Sequence, residues 1–337
     1  MSVLWFDTAW LNYQWVGRGL VVVLAAGLDR LVGDPWGWPH PVQAMGRVIS
    51  WGSKGIFCLQ LPTLGDRGLG VILGLGVILG SGWIGWWVVH LAGMLHPWGG
   101  MACEVVLLAS CFAGRSLRRA AEEVLAPLDA GDIATARDRL GLYVGRDTKH
   151  LDEAEIRRAV LETVSENATD GVLAPLFYAL VGACLPLGSV PVALAYKAAS
   201  TLDSMIGYRE APYTYLGWFS ARLEDALTWL PCRLVVLTIA LLSGQPQRVW
   251  ALCRRDASAD PSPNAGWSEA AYAAALGVQL GGTNQYNGIL KEKPRLGDAV
   301  YPITRDRILQ ALALTRRAAL LWTGLGIALM AVLSQML

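Results

Sequence analysis

Two long stretches without a charge stand out in the hydrophobic pattern of the chain, residues 69–89 and 318–337. The first contains 21 residues and the second contains 20. A helix of about 20 apolar residues crosses the roughly 30 Å of hydrocarbon in a bilayer. Both stretches therefore predict membrane-spanning helices.

Four further apolar stretches are interrupted by charges or by helix-breaking residues: 10–32, 97–113, 172–199 and 226–243. Leu-Pro-Leu-Gly at 185–188 breaks the third, and Pro231 and Arg233 lie in the fourth. Irregular backbone is tolerated at membrane depth where it lines a polar cavity. These two stretches are therefore either broken spans or re-entrant hairpins, and the sequence leaves both open.

Two long polar segments, 114–171 and 244–317, carry nine and ten Lys or Arg residues, whereas the short connection 96–100 carries none. Cytoplasmic loops of membrane proteins are enriched in these cations. We therefore expect both polar segments to face the cytoplasm. It follows that 172–199 and 226–243 both cross the membrane, or neither does.

The composition agrees with a membrane protein. Hydrophobic residues make up 54% of the chain and charged residues only 16%, with a mean hydropathy of +0.39 and 15 Trp; soluble domains are about one quarter charged. The predicted fold is an all-α polytopic integral membrane protein of four to six spans, with cytoplasmic helical segments. Its predicted parts are N-terminal spans with a polar loop at 33–67 (1–113), a cytoplasmic helical segment with an acidic helix (114–171), broken membrane segments or re-entrant hairpins (172–243), a second cytoplasmic helical segment (244–317) and a C-terminal span (318–337).

Several classes of function are disfavoured. A net charge of +1 without a basic stripe gives no reason to expect a nucleic-acid partner. The six Cys are scattered without a Cys-x-x-Cys pair, which argues against a zinc site or a disulfide framework. The chain contains no Gly-Lys pair and hence no Walker A loop. Gly74-Leu75-Gly76 lies inside the apolar stretch 69–89, where small residues let membrane helices approach closely.

Candidate chemistry concentrates in Glu-Thr-Val-Ser-Glu-Asn-Ala-Thr-Asp-Gly at 162–171. Periodic apolar positions predict a helix over 152–168, on which Glu162 and Glu166 share a face. Asp170 would follow one turn later. Like charges four residues apart repel by a few tenths of a kcal/mol, and Mg²⁺ would compensate them. The alternative is that Asp170 and Gly171 cap a helix beginning at 172, and spacing alone does not decide between the two.

Two other polar clusters suggest phosphate chemistry. Arg146 and Lys149 precede the acidic helix and could bind phosphate, although Thr148 to Asp152 could simply cap that helix. Lys197, Asp203 and Ser204 follow an apolar segment, and ionisable groups at a membrane edge are functional candidates. The alternative for Lys197 is an ammonium that extends to the membrane surface.

Polar loops supply the remaining candidates. Asp34, His40 and Arg47 lie in or beside a Pro-rich loop, and His40 is equally a packed loop histidine or a ligand. Asn264, Asn284 and Tyr286 lie in two loops that bracket a short Ala-rich helix. Each loop alone is ordinary turn chemistry, but their combination with the acidic helix favours a functional site.

The chain resembles the adenosylcobinamide-phosphate synthases of cobalamin biosynthesis. Six stretches carry the resemblance in order over nearly the full chain: GDPWGWPHPV at 33–42, VGRDT at 144–148, ENATDGVLAPLF at 166–177, YKAASTLDSMIGY at 196–208, ARLEDALTWLPCRL at 221–234 and PNAGWSEAAYAAALGVQLGG at 263–282. This resemblance implies an ATP- and Mg²⁺-dependent ligase that joins a carboxylate of adenosylcobyric acid to the amine of an aminopropanol phosphate. It implies a multi-pass protein of the inner or plasma membrane whose active site faces the cytoplasm, with other enzymes of the pathway as candidate partners.

On this resemblance, each candidate residue takes an expected role. The catalytic group is Glu166, Asn167, Asp170, Lys197, Asp203 and Ser204. Phosphate binding falls to Arg146, Lys149 and Arg209, and substrate binding to Asp34, His40, Arg47, Asn264, Asn284 and Tyr286. Mg²⁺ is expected at Glu166 and Asp170, with Glu162 behind them.

Two other functions compete with the ligase. A transporter would place broken polar helices at the membrane midplane, but 172–199 and 226–243 show no inverted internal symmetry. A non-catalytic membrane scaffold for corrinoid intermediates is the other alternative.

Overall fold

A computed structural model describes the backbone of residues 4–34, 37, 40–60 and 62–336, with side chains from residue 17 to 335 within these ranges. Residue 337 of the predicted span 318–337 lies outside the described residues. The same holds for positions 35, 36, 38 and 39 of the GDPWGWPHPV stretch.

Helices dominate the described chain, as the composition and periodicity predict. The helices are α1 (Leu4–Leu31), α2 (Pro41–Cys58), α3 (Thr63–Leu95), α4 (Pro97–Ala109), α5 (Gly114–Asp129), α6 (Ile133–Leu140), α7 (Glu153–Asn167), α8 (Ala174–Ala183), α9 (Ser189–Ile206), α10 (Trp218–Leu242), α11 (Pro246–Asp256), α12 (Ala265–Leu276) and α13 (Arg305–Met336). A π-helical turn (Ala168–Leu173) joins α7 to α8, and a 3-10 turn (Ala257–Ala259) follows α11. The strands are β1 (Leu280–Tyr286) and β2 (Ile289–Leu296).

The chain divides into two compact units. The apolar unit comprises Met1–Ala113, Pro175–Leu227 and Leu320–Leu337, and the polar unit comprises Gly114–Ala174 and Thr228–Ala319. The division falls inside α10 and α13, so each of these helices contributes to both units.

Glycines let the helices of the apolar unit approach closely. A Cβ added at Gly82 of α3 would lie 2.9 Å from the Pro191 carbonyl oxygen of α9, and one at Gly74 would lie 2.8 Å from the Phe219 ring. Side chains at these positions would force the helices apart. The Gly74 contact confirms the packing interpretation of the glycines in 69–89.

Among the described residues, four stretches are long and apolar enough to cross a membrane: Thr63–Leu95, Pro97–Asp129, Trp218–Leu242 and Arg305–Gln335. In the first, Arg67 lies over the Tyr215 and Trp218 rings, 5.5 and 5.3 Å from their centroids. Farther along α3, Trp86 and Trp87 meet edge to face at 5.3 Å. Twenty residues from Arg67 to Trp87 rise about 30 Å, the thickness of the hydrocarbon layer. Aromatic residues at both ends of such a span are typical of membrane interfaces.

The two long polar segments fold together inside the polar unit, where Arg146 donates to Asn284 across 138 residues. Segments in contact lie on one side of a bilayer, so the chain between them crosses it an even number of times. In the described part of that connection, Trp218–Leu242 is the only candidate span. The 18 residues of α9 rise about 27 Å, whereas α8 rises about 15 Å. Either α9 crosses together with α10, or neither helix crosses.

The polar unit contains a β-hairpin inside 244–317, the second segment predicted to be helical. Strands β1 and β2 pair antiparallel, with Tyr286 opposite Ile289. Between them Asn287 and Gly288 have φ angles of 50° and 80°. Positive φ at both positions of a two-residue loop is the geometry that Asn-Gly favours. The hairpin packs against α7, α11 and α12.

Candidate functional site

Glu162 on α7 is the centre of a buried group of charges in the polar unit. Its side chain is 2% exposed. Oε1 accepts from Arg158 at 2.8 Å and from the Gly281 backbone N–H at 2.9 Å, and Oε2 accepts from Arg146. Burial alone would raise the pKa of Glu162, but the charges of Arg146 and Arg158 outweigh it and hold that pKa below its ordinary value. Glu162 is therefore an ionised carboxylate whose two oxygens are both engaged by protein donors.

The two guanidinium groups extend this network to strand β1. Arg158 donates to the Gly281 and Thr283 carbonyl oxygens and to Asn284 Oδ1, at 2.7, 3.2 and 2.9 Å. Arg146 donates to the same Asn284 oxygen at 2.8 Å. The Arg146 side chain is only 8% exposed. Arg146, predicted to bind phosphate, and Asn284, predicted to bind substrate, therefore join α7 to the hairpin.

The loop that carries Arg146 is fixed to the hairpin by its next residue. The Asp147 N–H donates to the Gln285 carbonyl oxygen at 2.8 Å, and its carboxylate accepts from the Gly288 N–H at 2.8 Å. Asp152 caps α7 by accepting from the Glu155 N–H at 2.8 Å, which confirms the capping role considered for Thr148 to Asp152. Lys149 lies on the surface of this loop.

The chain continues from α7 into α8 through the π turn, so no helix begins at 172. The Ala174 N–H donates to the Thr169 carbonyl oxygen, five residues back. Ser268 of α12 donates to the Ser165 carbonyl oxygen at 2.6 Å, and its own oxygen lies 2.7 Å from Thr169 Oγ1. The capping role considered for Asp170 and Gly171 is therefore wrong. Such π turns occur often at functional sites.

Glu166 lies where α7 meets the π turn and differs from Glu162 in its surroundings. Its side chain is partly exposed and makes no hydrogen bond or ion pair among the described residues. Burial raises the pKa of Glu166 above its ordinary value, and the Lys293 charge opposes the shift. Asn167 is exposed and donates its amide to the Thr163 carbonyl oxygen at 3.0 Å, which leaves its Oδ1 for other donors. Asp170 is partly exposed one turn later.

A second buried ion pair lies near Glu166 and involves residues that the sequence did not single out. Lys293 of β2 donates to both carboxylate oxygens of Glu269 on α12, at 2.7 and 2.9 Å. The Glu269 side chain is fully buried. Burial raises the pKa of Glu269 to about 8 against the opposing charge of Lys293. Lys293 therefore pairs directly with Glu269, and its charge also acts on Glu166.

Glu166 and Asp170 are the expected Mg²⁺ ligands, with Glu162 behind them. Within the described ranges, no group of three His, Cys, Asp or Glu residues could hold a metal ion. Both carboxylate oxygens of Glu162 already accept from protein donors, which are Arg146, Arg158 and the Gly281 N–H. Mg²⁺ bound with a phosphate substrate needs only one or two carboxylates. Glu166 and Asp170 have the donor chemistry that such an ion requires.

In the apolar unit, Lys197, Asp203 and Ser204 all lie on α9, and Asp203 is partly buried. Ser204 is exposed and donates to the Thr201 carbonyl oxygen at 3.0 Å. A Cβ at Gly207 would lie 2.1 Å from Asp203 Oδ1, so a glycine is needed beside this carboxylate. These residues lie in a different unit from Glu166 and Asp170.

His40 has a structural role at the start of α2. Its Nδ1 accepts from the Val42 N–H at 3.3 Å, so the neutral ring carries its proton on Nε2, which lies 3.0 Å from Asp34 Oδ1. Helix α2, which His40 caps, packs directly on α9, which carries Lys197, Asp203 and Ser204: a Cβ at Gly46 of α2 would lie 3.4 Å from the Met205 sulfur. The predicted groups at the start of α2 and on α9 therefore lie on two helices in contact within the apolar unit.

The other predicted residues are dispersed. Arg47 and Arg209 are exposed, and Tyr286 is partly exposed with Lys291 5.6 Å from its ring centroid. Asn264 is 3% exposed, and its backbone carbonyl oxygen accepts from the Cys232 thiol at 3.2 Å. A turn signal, Asn287-Gly288, could have identified the hairpin and with it Lys293; no sequence pattern pointed to Glu269.

Comparisons with known proteins agree with one another. A family model described as "CobD/Cbib protein" matches residues 22–315. The chain is 52% identical to the cobalamin biosynthesis protein CobD of Synechocystis sp. over 312 residues, 91% of each chain. It is 43% identical to the cobalamin biosynthesis protein CbiB of Salmonella choleraesuis over 309 residues, 90% of this chain and 92% of the relative. No solved structure matches.

Proposed function

Because the chain belongs to the CobD/CbiB family of cobalamin biosynthesis proteins, we propose that it is the ATP-dependent ligase that joins adenosylcobyric acid to an aminopropanol phosphate or a related amino alcohol phosphate. One observation carries the proposal. Among the described residues the Glu166 carboxylate makes no hydrogen bond, and Glu166 lies at the end of α7, just before the π turn and one helical turn beyond the buried charges around Glu162.

The chemistry requires activation of a carboxylate. In the proposed route, a carboxylate oxygen of the corrinoid attacks the γ-phosphorus of ATP, and ADP leaves. The amine of the second substrate then attacks the acyl carbon of the acyl phosphate, phosphate leaves, and the nitrogen loses a proton to a base. Positioning and electrostatic stabilisation of the phosphoryl group provide most of the catalysis in such transfers.

The acidic residues at the π turn fit the nucleotide end of this reaction. Glu166 and Asp170 would hold Mg²⁺, which when bound offsets the negative charge of the phosphates. Asn167, with its Oδ1 uncommitted, would accept a hydrogen bond from a substrate. Glu162, Arg146 and Arg158 would keep α7 fixed against β1, so that Glu166 is held in place by buried ion pairs rather than by a flexible loop.

The other candidate residues keep the roles that the family resemblance implies. Lys197 would contact a phosphate, and Asp203 would accept the proton from the attacking amine, with Ser204 as a hydrogen-bond donor to substrate. Exposed Lys149 and Arg209 remain candidates for phosphate binding. Asp34 and Tyr286 remain candidates for contact with substrate, whereas Arg47 lies on the exposed face of α2.

A direct assay tests the ligase. Purified protein in detergent is given ATP, Mg²⁺, adenosylcobyric acid and aminopropanol phosphate, and both amide and ADP are measured. The ligase forms amide with one ADP per turnover. A transporter or a scaffold forms no amide under these conditions, and that result would overturn the proposal.

Two variants allow turnover to be compared after the same chemical change on α7. Glu166→Gln and Glu162→Gln each replace one carboxylate by an amide. The Glu166 variant should fold normally and lose turnover. Normal turnover in folded Glu166→Gln protein would remove the π turn from the active site.

A further inference from the structure

Helix α2 has one buried face and one fully uncovered face. Met45, Ile49, Ser53 and Ile56 are buried. A Cβ at Gly52 would lie 2.5 Å from Leu73 of α3, so the buried face packs directly on that helix. The opposite face recurs once per helical turn and is exposed. It consists of Ala44, Arg47, Val48, Trp51, Lys54 and Cys58.

The uncovered face combines apolar bulk with positive charge. Trp51 is 71% exposed and Val48 is 49% exposed. Arg47 and Lys54 are the only charged residues of α2, which contains no acid. Within the described residues neither cation has an ion-pair partner. An isolated positive charge on each side of a large exposed indole attracts an anionic surface rather than a neutral one.

The position of α2 in the chain identifies that surface as a membrane. Helix α2 ends at Cys58, and α3, a candidate span, begins at Thr63. Helix α2 contacts Leu73 of α3, which lies six residues beyond Arg67. Arg67 lies over the Tyr215 and Trp218 rings, and these aromatic residues mark one end of the apolar part of α3. Six residues of helix rise about 9 Å, which is the depth at which amphipathic helices lie in the interface. Helix α2 is not itself among the candidate spans.

We propose that α2 lies in the plane of the membrane interface and that its face of Arg47, Val48, Trp51 and Lys54 binds anionic lipid head groups. Trp51 and Val48 enter the boundary between head groups and acyl chains, where an indole is favoured. Arg47 and Lys54 extend to the phosphates on either side. Each such cation strengthens attraction to an anionic leaflet by about fivefold.

The full-length protein reconstituted in vesicles tests this proposal. Trp51 fluorescence is obtained as the difference between wild type and Trp51→Phe, a substitution of an exposed side chain. It is measured in phosphatidylcholine and in phosphatidylcholine with about a third phosphatidylglycerol, which supplies the anionic surface. Lipids brominated near the head group quench from the membrane, and acrylamide quenches from water.

We expect brominated lipid to quench Trp51 and acrylamide to leave it largely unquenched, with lipid quenching stronger when phosphatidylglycerol is present. Lys54→Gln should remove most of that dependence on phosphatidylglycerol. Because this variant keeps Trp51, its lipid quenching can be compared directly with that of wild type if Trp51→Phe folds poorly. Trp83, which is 63% exposed and lies one turn before Trp87 at the other end of the span, is the control. Its difference signal, from Trp83→Phe, should be quenched by brominated lipid equally in both lipid mixtures.

Three results would overturn the proposal. Quenching of Trp51 by acrylamide but not by brominated lipid would place the face in water. Protection from both quenchers would mean that protein covers it, either a second copy of this chain or another partner. Lipid quenching that is insensitive both to phosphatidylglycerol and to Lys54→Gln would exclude recognition of anionic head groups.

Discussion

Replacing Glu162 with Gln should destabilise the polar unit strongly, although the side chain keeps its shape. The amide retains one acceptor oxygen and presents an NH₂ group to a guanidinium that needs an acceptor. Arg146 and Arg158 then share a single neutral oxygen in a site where the side chain is 2% exposed. Breaking a buried ion pair from one side costs about 3–5 kcal/mol, because the remaining charge stays buried without compensation.

This cost corresponds to a large shift in the melting temperature. The polar unit has about 150 residues, and for that size 1 kcal/mol shifts the midpoint by about 2–4 °C. We expect Glu162→Gln to melt about 6–20 °C below wild type. Hydrogen exchange of peptides from α7 and β1 assigns the change to the correct part of the molecule, since Glu162 joins Arg158 to the Gly281 N–H.

Glu166→Gln is the control, because the same chemical change occurs one turn away at a carboxylate that makes no hydrogen bond or ion pair among the described residues. Its melting temperature should not fall. If Glu162→Gln melts within about 1 °C of wild type, or if both variants lose the same stability, the buried network does not stabilise the unit and the reasoning is wrong.

The same network makes a prediction about pH. The pKa of Glu162 is lower in the folded protein than its ordinary value of 4.5. Its contribution to stability is therefore complete above that value and is lost as pH falls below it towards the folded-state pKa. Between about pH 5 and pH 3, wild type should lose more stability than Glu162→Gln. Equal losses in the two proteins, measured by melting at each pH, would contradict this.

Three further predictions concern other parts of the molecule. Asp170→Asn and Glu166→Gln should abolish turnover in folded protein, with excess Mg²⁺ partly restoring the weaker of the two; normal turnover in both would exclude these carboxylates. Gly281→Ala should destabilise the hairpin by more than about 1 kcal/mol in denaturant melts, because its φ is 83° and a Cβ would lie 1.9 Å from the Pro294 carbonyl oxygen; wild-type stability would contradict this. Cysteines introduced in 120–165 and 255–310 should not be labelled from outside intact cells, and strong labelling there would contradict a cytoplasmic polar unit.

The helical part of this fold was predictable because its signals are local. The apolar stretch 69–89 lies inside α3, and Asp152 caps α7 where the polar residues before the acidic helix indicated. The hairpin was missed because β1 and β2 have little hydrophobic alternation. Their stability comes from Arg158, Asn284 and Lys293 rather than from an apolar face. Only the Asn287-Gly288 turn gave a sequence signal for it.

The candidate site was predictable in part. Spacing placed Glu162 and Glu166 on one face of a helix and suggested that something compensates their charges. It could not show that Arg146 and Arg158 do so for Glu162 alone, because those contacts depend on tertiary structure. The π turn was equally hidden, since the contact beside it comes from Ser268, which is 103 residues from Ser165.

The polar unit is built from two segments separated in the chain, and this determines when it can form during synthesis. Glu162 and Gly281 are 119 residues apart. At about 5–20 residues per second, a ribosome needs roughly 6–24 s to make that interval. During this time Glu162, Arg146 and Arg158 have left the ribosome but lack strand β1. α8, α9 and α10 are therefore made while α7 still lacks its partner strand. The hairpin can pair with α7 only after residue 296, when α13, whose first half completes the polar unit, is still to be synthesised.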